Sequence, residues 1–286
     1  VSKQFKQRLI VSGIAIFLLF SFIYFSFHPV FKLFFIISHA LFVSIALSEY
    51  YYLVEKKNFQ PLTQMGICLS FIYILLVGWA VQYPSPFFSI PLLLLLAGFL
   101  FSFLLFFTPS RTSPIVNMAL STFGILYVTL PLSCVVMLNY FSFPHNGQDG
   151  RLWLTYGILV SKMTDVGAYF SGKLWGKHQL APFISPKKTL EGSIGGFFTA
   201  LFTSIFFTQI FTNHGFYLSF QQSLWMGALL GILAQLGDLT ESLLKRDAQV
   251  KDSSHLPGLG GLLDIIDSLV FTLPLLYLFL QMQWIG

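Results

Sequence analysis

Residues 88–107 read FSIPLLLLLAGFLFSFLLFF, 20 positions without one charged side chain. A helix needs about 20 apolar residues to cross the hydrocarbon core of a bilayer, whereas a helix at the surface of a soluble domain keeps a polar face. Working outward, the same kind of run recurs at Leu9–Phe27, Phe31–Leu53, Met65–Val81 and Val116–Leu138. It recurs again at Leu152–Phe170, Ser193–Phe211, Ser223–Leu244 and Leu263–Gln281. The expected fold is therefore an all-α, polytopic integral membrane helical bundle of about nine transmembrane helices.

Composition supports that solvent. Of 286 residues, 55% are hydrophobic, 18% aromatic and 9% charged, against about 25% charged in ordinary soluble domains, and the mean hydropathy is +0.75. The two cysteines, Cys68 and Cys134, lie in apolar runs, which excludes a secreted disulfide scaffold. Disorder and coiled coil fail for want of charge and heptads. The first run follows Lys3, Lys6 and Arg8 but lacks a small-residue cleavage site, so it is expected to be retained as a span.

The net charge of +5 reflects topology rather than nucleic-acid binding. Cytoplasmic loops collect Lys and Arg. With the N-terminus cytoplasmic, inner segments hold Lys3, Lys6, Arg8, Lys56, Lys57, Arg111, Lys173, Lys177, Lys187, Lys188, Lys245, Arg246 and Lys251, which is 13 of the 16 basic residues. Lys32 and Arg151 fall at outer ends and Lys162 within a span.

The acids are uneven. Residues 1–148 contain only Glu49 and Glu55, while the stretch from Asp165 to Asp267 contains eight. An ionisable residue inside a span is costly and marks function. Residues 1–144 therefore read as transmembrane scaffold, and residues 145–286 as a catalytic region open to the cytoplasm.

Three segments carry that region. Lys162 and Asp165 are three apart on one helix face and can neutralise each other. The inner loop Ser185-Pro-Lys-Lys-Thr-Leu-Glu-Gly192 reads on its own as a solvated basic loop. In the third segment, Asp238, Glu241 and Lys245 share a helix stripe, with Ser242 and Arg246 on the neighbouring one. Asp264 and Asp267 then open the last span after Pro257-Gly-Leu-Gly-Gly261. Carboxylates with substrate phosphates are how Mg²⁺ is usually held, and a glycine turn at a helix N-terminus offers N–H groups to phosphate. Acids, a glycine turn and the bases Lys245, Arg246 and Lys251 together point to phosphoryl or nucleotidyl transfer. There is no Walker A motif, no G-x-G-x-x-G and no zinc spacing, and the six histidines are scattered. Glu49, before Tyr50-Tyr51-Tyr52, is expected to be an aromatic-belt residue near a span end.

The third segment resembles the signature of phosphatidate cytidylyltransferases, the CDP-diacylglycerol synthases. That signature, S-x8-K-D, a Pro-Gly-His-Gly-Gly turn and D-R-x-D, stands here as Ser242 to Lys251-Asp252, Pro257-Gly-Leu-Gly-Gly261 and Asp264-Ile-Ile-Asp267. Gly237-Asp238, Glu241-Ser242, Lys245-Arg246, Asp165-Val-Gly-Ala-Tyr169 and Ile184 to Gly192 match as well. Leu259 and Ile265 depart, standing where the family has His and Arg, and the turn is one residue shorter than in many members.

The resemblance implies transfer of CMP from CTP to phosphatidic acid, giving CDP-diacylglycerol and pyrophosphate for phospholipid biosynthesis. It implies Mg²⁺ held by Asp238 and Asp264, with K⁺ as a second cation, and Asp267 supporting them. Lys245, Arg246 and Lys251 would meet phosphates, Lys187, Lys188 and Glu191 would shape the nucleotide side, and Asp165 would orient a basic residue or belong to the metal's outer shell. Ser242 joins the substrate-binding set. The resemblance further implies a homodimer in the bacterial inner membrane, with CTP and phosphatidic acid as partners, no nucleic acid, and the site facing the cytoplasm. Two alternatives are a CTP-dependent polyprenol kinase, from which CDP would leave, and an ion-coupled transporter using Lys162, Asp165 and Asp238 as a relay.

Overall fold

The computed structural model describes residues 20–83, 90–105, 113–143, 147–250, 253 and 261–285. Residues 20–25 are helical and lead to α1 (Pro29–Lys56), where an extended His28 and a proline in the first turn set the start. Helices α2 (Thr63–Gln82) and α3 (Ile90–Leu105) follow. Next, α4 (Pro114–Gly124) runs through one π-helical turn, Ile125–Thr129, into α5 (Leu130–Asn139). Pro131 explains the widened turn: it has no N–H for the carbonyl one turn back, and its ring crowds that carbonyl.

The C-terminal half is α6 (Gly150–Trp175), a two-stranded antiparallel hairpin of β1 (Gln179–Ala181) and β2 (Ser185–Thr189), α7 (Leu190–Phe211) and α8 (Phe220–Asp247). A short α9 (Leu262–Ile266) then turns into α10 (Leu269–Ile285). Asp149 caps α6 by accepting from Arg151 N at 2.9 Å, and Ser219 with Gln222 forms a capping box on α8.

Among the described residues, six helical stretches are long and apolar enough to cross a membrane: Pro29–Lys56, Thr63–Gln82, Pro114–Asn139, Leu190–His214, Phe220–Asp247 and Leu262–Met282. Each contains one of the runs read from the sequence. The expected span Leu152–Phe170 lies inside α6, a 26-residue helix whose Arg151, Lys162, Asp165 and Lys173 dilute its apolar character. The run at 88–107 corresponds to α3, whose described length is 16 residues. The first run lies, except for residues 20–27, outside the described residues.

α7 shows how the bundle meets its surroundings. It turns Gly192, Gly196, Ala200 and Ser204 inward and leaves Phe198, Phe202 and Phe206 exposed. Large apolar side chains outside and small ones at the helix contact suit packing in lipid. α7 lies between α6 and α8, α10 packs on α5, α6 and α8, and α9 rests against α1. These contacts bring the three charge-bearing segments together.

Candidate functional site

The first wall of the site is the hairpin between α6 and α7, which composition alone made a solvated loop and the resemblance placed at the nucleotide side. Thr189 ends β2 and caps α7, its Oγ1 accepting from Gly192 N at 3.1 Å. Gly192 must be glycine, since a Cβ there would stand 2.8 Å from the Ala168 carbonyl oxygen of α6. Glu191 accepts from Lys177 N at 3.0 Å, His178 N at 3.2 Å and His178 Nδ1 at 2.7 Å, closing the hairpin's base onto the first turn of α7. Arg246 donates Nε to the Ile184 carbonyl at 3.1 Å, tying the hairpin tip to α8. In this structure Glu191 and Arg246 hold the element that carries Lys187 and Lys188.

Behind the hairpin lies a cavity of about 370 Å³ whose lining includes Asp165, Lys173, Lys187, Lys188, Gln235 and Asp238. Residues from α6, β2 and α8, separate in sequence, thus share one space. Lys188 Nζ, buried, faces Asp238 Oδ2 at 2.7 Å. Below this pair, Lys162 reaches Ser268 Oγ at 2.8 Å, Asp165 Oδ2 at 3.4 Å and Asp267 Oδ1 at 3.7 Å. Asp165, Asp238 and Asp267 are close enough to repel one another. Three carboxylates sharing two ammonium groups give a site that can exchange partners when a new anion or cation arrives. Gly237 makes the junction: a Cβ there would lie 2.1 Å from the Asp267 carbonyl oxygen, so only glycine lets α8 approach the turn after α9.

A second cluster sits around Lys245. Its ammonium meets Glu241 Oε2 at 2.5 Å one helical turn back and bonds to Asp264 Oδ1 across the bundle. Glu241 is fully buried, and Asp264 also accepts from Gly261 N at 3.0 Å.

Of the expected phosphate-binding glycine turn, residues 257–260 lie outside the described residues, and its last member, Gly261, stands at the start of α9. Leu262 N donates to Glu49 Oε1 at 3.0 Å and Leu263 N to Glu49 Oε2 at 2.8 Å. With Gly261 N on Asp264, all three N–H groups described here are already bonded to carboxylates. A phosphate would have to displace negative charge that the helix N-terminus already holds. Glu49 is likewise no belt residue, being 4% exposed within the protein. The signal that could have found it was present: a lone carboxylate inside an apolar run is a functional-site hypothesis by default.

Among the other candidates, Ser242 is half-buried on α8 and Ile265 is half-exposed. Lys251, Asp252 and Leu259 lie outside the described residues. Among the described residues, no three His, Cys, Asp or Glu side chains are grouped to hold a metal ion by themselves. Mg²⁺ rarely asks for that; one or two carboxylates plus substrate phosphates and water suffice. The two carboxylates expected to hold such an ion are hard oxygen donors that stand in different clusters, Asp238 on Lys188 at the cavity and Asp264 on Lys245, each balanced by a lysine for which a polyphosphate would compete.

Comparison with known proteins gives the family. The family model described as "Cytidylyltransferase family" matches residues 6–283. A phosphatidate cytidylyltransferase of Chlamydia pneumoniae is 35% identical over 243 residues, covering 81% of this chain and 77% of that one. One from Synechocystis is 34% identical over 268 residues, covering 84% and 86%. One from Staphylococcus haemolyticus is 43% identical over 150 residues, covering 51% and 55%. With charged residues from three distant segments gathered at one cavity and a family match along nearly the whole sequence, the chain belongs to the cytidylyltransferase family.

Proposed function

We propose that this chain transfers CMP from CTP to phosphatidic acid, producing CDP-diacylglycerol and pyrophosphate. The observation that carries the reading is the cavity where Asp165, Lys187, Lys188 and Asp238 meet, joined to the activity for which the relatives are named. The membrane setting suits the substrates, since one is a lipid and the other a soluble nucleotide.

A phosphate oxygen of the lipid attacks the α-phosphorus of CTP, the bond to the β-phosphate oxygen breaks, and pyrophosphate leaves with the electron pair. The nucleophile is already an anion, so no Ser/His/Asp apparatus is required. Lys187 and Lys188 neutralise the triphosphate, and as phosphate takes Lys188 away, Asp238 is released from its ion pair. Lys245, held between Glu241 and Asp264, offers a second cation for charge developing on the leaving group, and the resemblance assigns Arg246 and Lys251 to the phosphates as well. Ser242 borders the same helix face. Mg²⁺, bound by Asp238 and Asp264 with Asp165 and Asp267 in support, would supply additional positive charge at the reacting phosphates. K⁺ as a second cation belongs to the same proposal. Lys162 keeps Asp165 and Asp267 from repelling each other out of place.

The arrangement in the membrane is proposed with it: nine spans, the N-terminus and the hairpin in the cytoplasm, and a homodimer in a bacterial inner membrane. The concentration of basic residues in alternate loops supports the orientation.

The test is a product assay on purified protein in detergent with phosphatidic acid, CTP labelled in the α-phosphate, and Mg²⁺. Label is expected in CDP-diacylglycerol, with one pyrophosphate per lipid, and both products should disappear with a chelator and return with Mg²⁺. Release of CDP instead of pyrophosphate would replace the reading with lipid phosphorylation.

A further inference from the structure

We propose that Glu49 is a positioning residue for the acid cluster. From the N-terminal helix α1 it fixes the first turn of α9, and through that turn it sets Asp264 and Asp267. For its catalytic consequence the inference rests on the cytidylyl-transfer reading; for its geometry it does not.

Both oxygens of Glu49 are engaged, Oε1 by Leu262 N at 3.0 Å and Oε2 by Leu263 N at 2.8 Å and Ser253 Oγ at 3.4 Å. A carboxylate that accepts in parallel from two successive backbone N–H groups controls direction as well as distance. At 4% exposure it has little water to solvate it, so these donors and the positive end of the helix are its compensation. The chain is shaped to admit it: a Cβ on Gly261 would lie 2.9 Å from Glu49 Oε2 and 1.7 Å from Ser253 Oγ.

α9 cannot hold its own position. It has five residues, and a helix that short does not recover its nucleation cost. Yet it carries Asp264, which pairs with Lys245, and it leads directly to Asp267, which faces Lys162 at 3.7 Å. Rotation or slippage of this turn would move both carboxylates together. A described ion pair links the end of α1 to α8, Lys57 to Asp247 at 3.1 Å, but its side chains are 37% and 67% exposed, and an ion pair that exposed contributes little. It serves as the control.

The experiment compares full-length wild type with Glu49→Gln, Glu49→Asp and Lys57→Met. Glu49→Gln keeps the volume but sets an amide NH₂ against backbone N–H donors. Hydrogen exchange of the amides at 261–268 should quicken by about tenfold or more in Glu49→Gln, while peptides from α6 to α8 stay as in wild type. In the same preparations, kcat for CDP-diacylglycerol should fall on the order of 10- to 100-fold. The Mg²⁺ needed for half-maximal rate should rise, and KM for phosphatidic acid should stay within about twofold. Glu49→Asp should recover part of both changes, and Lys57→Met should show neither.

Wild-type exchange at 261–268 in Glu49→Gln would overturn the proposal, and so would an unchanged kcat per folded molecule. If Glu49→Gln fails to fold, Ser253→Ala, which removes one donor, should give smaller changes of the same sign, and their absence would overturn it equally. Wild-type protein that makes no CDP-diacylglycerol would overturn the functional reading alone, and the exchange result would then decide the positioning by itself.

Discussion

Asp238 is the residue on which the proposed chemistry turns, because it is the acid that both lines the cavity and carries a lysine partner from another element. Its 2.7 Å contact with Lys188 joins α8 to β2. Replacing it with Asn removes the negative charge that a cation would need and leaves Lys188 without its counter-charge in a partly desolvated site. Turnover of Asp238→Asn is expected to drop on the order of 100-fold or more, with the protein still eluting as folded material. Steady-state rates for this variant and Asp264→Asn provide the check. If both turned over nearly as fast as wild type, the metal assignment would be wrong. The charge pattern around Asp238 was partly visible in the primary structure: the spacing Lys162 to Asp165 implied a shared helix face, and they lie 3.4 Å apart. Nothing local could tell that Lys188 would be the partner of Asp238, since that depends on where the hairpin folds.

The element that repays attention is that hairpin. It is built from residues whose composition alone says only "basic and exposed", but their bonding says more. Glu191 holds two backbone N–H groups and the His178 ring, and Arg246 holds the tip. Glu191→Gln loses the charge-assisted part of three bonds at the start of α7. The expected outcome is a looser hairpin: faster proteolytic nicking within residues 179–189 and a KM for CTP raised severalfold, with kcat changed less because the reacting groups stay in place. A fall in kcat with KM unchanged would instead assign Glu191 to the chemical step. α6 makes the complementary case. Its Arg151, Lys162, Asp165 and Lys173 point to function and, for the same reason, make it less obvious as a span.

At the scale of the molecule, the proposed orientation rests on where the cations sit and can be tested directly. Single cysteines placed at Lys177 and at Asn213 should react with a membrane-impermeant thiol reagent from opposite sides of the membrane, the hairpin from the cytoplasmic side. Labelling of both from one side would invalidate the alternation of spans between them. The amino-acid order by itself determined the solvent, the helical class and the family, because apolar run length, charge placement and motif spacing are properties of neighbouring residues. Only the tertiary structure decided what each charge touches. Glu49 meets Leu262 across 213 positions of chain. It occupies backbone donors that the glycine turn had seemed to offer to phosphate, and the widened turn before Pro131 and the close pass of Gly237 by Asp267 belong with it. Contacts of this kind depend on how helices pack against one another, and that packing is settled by the whole bundle rather than by any one stretch of it.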